Sequence, residues 1–146
     1  MPTIETLLLA NHAEAHRGTL YLMGGGWTVT TRRLRDGSPP PVNHFGIAAT
    51  VIVPWTETGT RHELRIWVEG EDGGKPLMQV QTAFEAGRPE GLPPGADQRH
   101  VLAIGVDTRF PSAGGYRVVA QVGESRRAYA FRVVDKVVEN PPPTPD

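Results

Sequence analysis

The chain has 146 residues, no cysteine and a formal net charge of -1. That length suffices for one domain burying about two-thirds of its unfolded surface without a staple. The missing thiols exclude disulfides, thiolate nucleophiles and cysteine-ligated metals, and the near-zero charge removes the drive for general nucleic-acid or anionic-membrane binding.

Met1-Pro2-Thr3-Ile4-Glu5 carries no basic segment, and Leu7-Leu8-Leu9-Ala10 is too short for a signal or a membrane span. A cytoplasmic location is the expectation. Glycine (17) and proline (14) together make about a fifth of the chain, against a usual ~12%. They fall between apolar runs, where turns belong, and argue against helices. Arginine outnumbers lysine 13 to 2, scattered along the chain, which reads as coding bias and not as a function.

In chain order, Ile4 to Ala15 comes first. Its Leu, Glu and Ala favour helix, yet Arg17-Gly18 and the run Leu20-Tyr21-Leu22-Met23 make a strand and hairpin the natural reading. Gly24-Gly25-Gly26 then bends the chain before Trp27-Thr28-Val29-Thr30-Thr31. It is no phosphate loop, since no Gly-Lys-Ser/Thr follows; a bulge or tight bend explains it. Arg35 to Val42 is a proline-rich loop, and Phe45 to Val53 is a central, largely apolar strand stopped by Pro54.

Leu64, Ile66 and Val68 alternate on one face of the next strand, and Met78, Val80, Thr82 and Phe84 repeat the pattern after a turn at Asp72-Gly73-Gly74. Ala86 to Gln98 is a second long loop. Leu102, Ile104 and Val106 alternate again, as do Tyr116, Val118, Ala120 and Val122, then, past a turn at Gly123-Glu124, Tyr129, Phe131 and Val133. Each long loop is able to cross from one sheet to another. Asn140-Pro141-Pro142-Pro143 cannot join a ladder, because proline lacks the donor.

About eight or nine strands at this spacing predict an all-β fold. Gly115-Tyr116 entering the penultimate strand is similar to the corner tyrosine of immunoglobulin-like domains. The expectation is an immunoglobulin-like, two-sheet antiparallel β-sandwich over residues 1–138, with a proline-rich tail over 139–146.

Leu9-Ala10-Asn11-His12-Ala13-Glu14, Gly18-Thr19-Leu20-Tyr21 and Gly24-Gly25-Gly26-Trp27 resemble the opening of a bacterial family of small β-sandwich domains of unknown function. The likeness continues through Val53-Pro54-Trp55, Glu71-Asp72-Gly73, Gly87-Arg88-Pro89 and Gly115-Tyr116, so it spans nearly everything but the tail. The resemblance supports the strand reading of Ile4 to Ala15. It brings no catalytic residue.

Three constellations stand as candidates. On a strand, His12, Glu14 and His16 share a face at i, i+2 and i+4. Two imidazoles and a carboxylate suit zinc or iron, completed by His44, His62 or His100. The alternative is a plain polar face. Trp27, Trp55 and Trp67 are the aromatic candidates, because exposed indoles stack on sugar rings; the alternative is core packing. The face bearing Trp67, Gln79, Gln81, Val119 and Gln121 suits a homodimer or a protein partner. No Gly-x-Ser-x-Gly elbow exists, and Ser38, Ser112 and Ser125 all fall in turns. A binding or assembly module without a cofactor is therefore favoured over a metal-dependent enzyme or a carbohydrate-binding module.

Overall fold

The structure is a computed structural model and describes residues 1–139. The proline tail expected from residue 139 thus lies outside the described residues except for Glu139. Ten strands are present among them: β1 (Thr3–Ala10), β2 (His12–His16), β3 (Thr19–Met23), β4 (Val29–Leu34), β5 (Asn43–Val53), β6 (Arg61–Gly70), β7 (Gly73–Glu85), β8 (Gln98–Thr108), β9 (Gly114–Val122) and β10 (Ser125–Val137). Among the described residues one 3-10 turn, Trp55–Glu57, interrupts the all-β pattern. No helix among the described residues is long and apolar enough to cross a membrane.

Strand order is β4-β10-β9-β6-β7 in a five-stranded sheet, β1-β5-β8 in a three-stranded sheet, and β2-β3 in a hairpin. Residues from both larger sheets form one buried cluster. β1 and β5 supply Leu7, Leu9, Ile47 and Val51; β6, β9 and β10 supply Leu64, Ile66, Val118, Ala120 and Val133. Period-two alternation makes this possible, since each strand hides every second side chain. Both proline-rich loops cross between the two sheets, as their length suggested: one joins β4 to β5, the other β7 to β8.

Three expectations are corrected. The strands number ten, not eight or nine, because Ile4 to Ala15 is split at Asn11 into β1 and β2. β1 pairs with β5, whereas β2 pairs with β3. The Asn11 amide closes the base of the β2–β3 hairpin by donating to the carbonyl of Met23 at 3.0 Å. Nor is the pairing wholly antiparallel: β4 runs parallel to β10, which is open to strands so distant in sequence that no hairpin joins them. The turn between β6 and β7 is Glu71-Asp72, with Gly73 and Gly74 opening the following strand.

The β2–β3 hairpin folds over the outer face of the three-stranded sheet. A Cβ on Gly46 of β5 would come within 2.8 Å of the Ala13 backbone nitrogen, so glycine permits this close approach. At the hairpin tip Arg17 takes φ +50°, ahead of Gly18, the paired positive φ values of a tight two-residue turn. Gly24 bends the exit, where a side chain would collide with Asn11.

Arg32 of β4 is buried. Its guanidinium donates to both carboxylate oxygens of Asp135 on β10, at 2.8 and 3.0 Å, and to the Phe110 carbonyl at 2.8 Å. The arginine holds the Asp135 carboxyl below its ordinary value, chiefly through these hydrogen bonds. Arg32→Leu leaves the carboxylate and the carbonyl without their donor. It is expected to cost roughly 2–4 kcal/mol of stability, measured by urea unfolding; an unchanged midpoint would contradict this role.

Candidate functional site

β2 places His12, Glu14 and His16 on one exposed face, as the spacing requires. The Glu14 carboxylate accepts from the His12 Nε2 at 3.0 Å with one oxygen and from the His16 Nε2 at 3.2 Å with the other. These bonds, that from His12 foremost, lower the Glu14 pKa. Residues i and i+4 on a strand stand about 13 Å apart, so the imidazoles flank the carboxylate instead of converging on a point. No group of three His, Cys, Asp or Glu with the geometry to hold a metal ion occurs among the described residues.

The other histidines do not join them. His44 of β5 pairs with Asp107 of β8 across the register, Nδ1 to Oδ1 at 2.6 Å. His62 donates to the Glu57 carbonyl at 3.0 Å. His62 and His100 lie against Phe84, with ring centroids 5.6 and 4.1 Å away and the His100 ring within 8° of parallel. Burial pushes the His100 pKa down.

The three tryptophans sit in three separate settings, and no aromatic contact joins any two of them among the described residues. Trp27 packs edge-on to Phe45 and Phe131, each at 5.9 Å, at the margin of the core. Trp55 lies in the 3-10 turn under the Arg88 guanidinium, 4.3 Å from its ring. Trp67 points outward from the five-stranded sheet, opposite Leu64, Ile66 and Val68, yet it is only 7% exposed. Arg65 and Arg126 cover it, at 5.2 and 5.1 Å from the ring. An indole occupied by cations on this outer face offers no open plane for a sugar ring.

The outer face of the five-stranded sheet carries Trp67, Gln79, Gln81, Val119 and Gln121 together, as their phases predicted; its positive charge is what reading along the sequence missed. Strand alternation and register bring Arg33, Arg61, Arg65, Arg117, Arg126, Arg132 and Lys136 to this face, against Glu63, Glu69 and Glu85. With the Glu71 carboxylate, which lies over Gly115 on the same face, seven basic and four acidic groups leave a surplus of three positive charges on one face of a chain whose net charge is -1. Glu69 is nearly buried among them; it accepts from Arg117 at 3.0 Å and lies 3.9 Å from Arg126. Gln79 and Gln121 share the face, and the Gln81 amide reaches the Glu63 carboxylate at 3.4 Å. The arginines scatter in sequence because they come from four strands. Their common phase against each strand's buried set was the available signal.

A family model described as "Family of unknown function (DUF6941)" matches residues 5–134. No curated protein matches the chain.

The stacked histidine carries a pH prediction. Because the folded state depresses the His100 pKa, the unfolded chain binds this proton first as pH falls from its ordinary value of about 6.5. Stability from this group is therefore fully present above that pH and declines below it. Thermal unfolding from pH 7.5 to 5.5 is expected to show the decline, and His100→Phe, which preserves the stack, is expected to flatten it. An equal slope in both proteins would remove His100 as the cause.

Proposed function

The chain belongs to DUF6941, a family of unknown function, and from the faces its sheets present we propose that it is an immunoglobulin-like β-sandwich acting as a non-enzymatic binding module for an acidic protein surface. Two features support the architecture. The two larger sheets share one apolar core, and the Tyr116 hydroxyl, near the start of the penultimate strand, donates to the Ser112 carbonyl four residues upstream at 2.7 Å, the bond of a tyrosine corner.

The cationic outer face of the five-stranded sheet carries the functional reading. Its positive groups are nearly all arginine, whose planar fork matches a carboxylate in two places at once. Asp and Glu side chains on a partner would meet several guanidinium groups presented on one sheet face. The amides of Gln79, Gln81 and Gln121 add hydrogen-bonding capacity between them. Trp67, held under two of the arginines, fixes where their guanidinium groups stand.

Poly-L-glutamate is the probe, with heparin and single-stranded DNA as comparators. The wild-type protein is expected to bind poly-L-glutamate with an affinity that falls as salt rises. The Arg61→Glu, Arg132→Glu double variant is expected to bind roughly tenfold or more weakly, while its thermal midpoint stays close to wild type. Absence of poly-L-glutamate binding, or tighter binding of heparin or DNA, would refute the acidic-protein reading.

A further inference from the structure

Glu71 stands in the turn between β6 and β7, and its amide donates to the Gly115 carbonyl of β9 at 3.1 Å. Its carboxylate rests where a Gly115 side chain would be, so that a Cβ there would collide with it. Gly115 lies within β9 and does not take a positive φ; its backbone does not call for glycine. A glycine in a strand gives up packing and costs conformational entropy on folding, and it often marks a close approach. Here the approach is that of a carboxylate which, among the described residues, forms no ion pair. A charge seated in this way without a partner in its own chain is placed for a donor from outside.

The surroundings select the ligand. Arg132 of β10 stands opposite Gly115 in the register, with Val29 of β4 on its other side, and paired residues share a face of the sheet. Ala130 and Arg117 form the next outward pair, and Arg117 is engaged by Glu69 at 3.0 Å. Arg132, like Glu71, is exposed and forms no ion pair among the described residues. Glu71 and Arg132 therefore flank, without neutralising each other, a depression of about 500 Å³ that Gly115, Ala130, Val29 and Arg117 also line. Its size suits a small molecule. A plain cation would face the arginines and a plain anion would face Glu71, so the complementary ligand carries both charges. Val29, 54% exposed, and Ala130 offer apolar surface beside them.

We propose that this depression binds a free α-amino acid with an aliphatic side chain. Its ammonium donates to the Glu71 carboxylate, its carboxylate accepts from the Arg132 guanidinium, and its side chain lies over Ala130 and Val29. The proposal goes beyond the acidic-partner reading and does not rest on it, because it needs Glu71, a carboxylate that an acidic surface would avoid.

Calorimetric titration of the full chain with L-leucine is expected to show saturable binding. N-acetyl-L-leucine lacks the ammonium and L-leucinamide lacks the carboxylate; each is expected to bind roughly tenfold or more weakly. Glu71→Gln is expected to weaken leucine to a similar degree while leaving N-acetyl-L-leucine no weaker. Arg132→Leu is expected to weaken leucine likewise while leaving leucinamide no weaker. Gly115→Ala keeps every charge but displaces the Glu71 carboxylate, and it too is expected to weaken leucine roughly tenfold. If that variant lowers the thermal midpoint, the two substitutions of exposed side chains decide the matter. Failure of leucine to bind would overturn the proposal. So would equal binding of N-acetyl-L-leucine, or leucine binding indifferent to both Glu71→Gln and Arg132→Leu. Poly-L-glutamate binding is a separate measurement, so the loss of either reading leaves the other standing.

Discussion

The contact on which the two sheets depend is a cluster of four aromatic rings. Phe110, fully buried in the connection between β8 and β9, lies 4.9 Å from Tyr116, 5.8 Å from Phe131 and 6.2 Å from Phe45. Phe45 belongs to the three-stranded sheet; Tyr116 and Phe131 belong to the five-stranded one. The rings span the gap between sheets and bury large apolar areas there, with edge and offset contacts adding to the area term. The two polar anchors nearby act on the same connection. Arg32 takes the carbonyl of Phe110, and Tyr116 takes the carbonyl of Ser112. A crossing segment has no ladder of its own, so its buried carbonyls need side-chain donors.

Unequal sheet width sets the rest of the surface. With neighbouring strands about 4.8 Å apart, three strands cannot cover five. The narrower sheet has its outer face partly roofed by the β2–β3 hairpin, through the approach of Ala13 to Gly46. Among the described residues the wider sheet has no such roof over its outer face, and it ends in β7. Its arginines partly take the place of a covering element: the guanidinium groups of Arg65 and Arg126 lie over Trp67, an outward-facing indole that is buried in a single chain. The same residues that shield the indole also create the charge asymmetry.

Much of the local structure was legible in the sequence. Leu64, Ile66 and Val68 marked a buried face, and the opposite phase placed Trp67 outside. The glycine and proline clusters marked the crossings, and Arg17-Gly18 marked a hairpin. The face shared by His12, Glu14 and His16 was equally readable, because alternation holds on any strand. The bonding within that trio was not. Whether a carboxylate between two imidazoles accepts from both or gathers them around an ion depends on side-chain reach along a particular strand. The environment of the tryptophans was hidden too, since Trp67 is covered by Arg126, a residue of another strand far along the chain.

The sequence by itself determined that this protein is built of strands, which side of most strands is buried, and where the chain turns. Those are local properties, set by backbone geometry with a period of two. Only the tertiary structure decided which strand lies beside which: the break at Asn11 that sends β1 and β2 into different sheets, the parallel pairing of β4 with β10, and the meeting of arginines from four strands on one face. These are contacts between residues far apart in the chain. They are set by register and by the shared aromatic core, and no window of the sequence contains both partners.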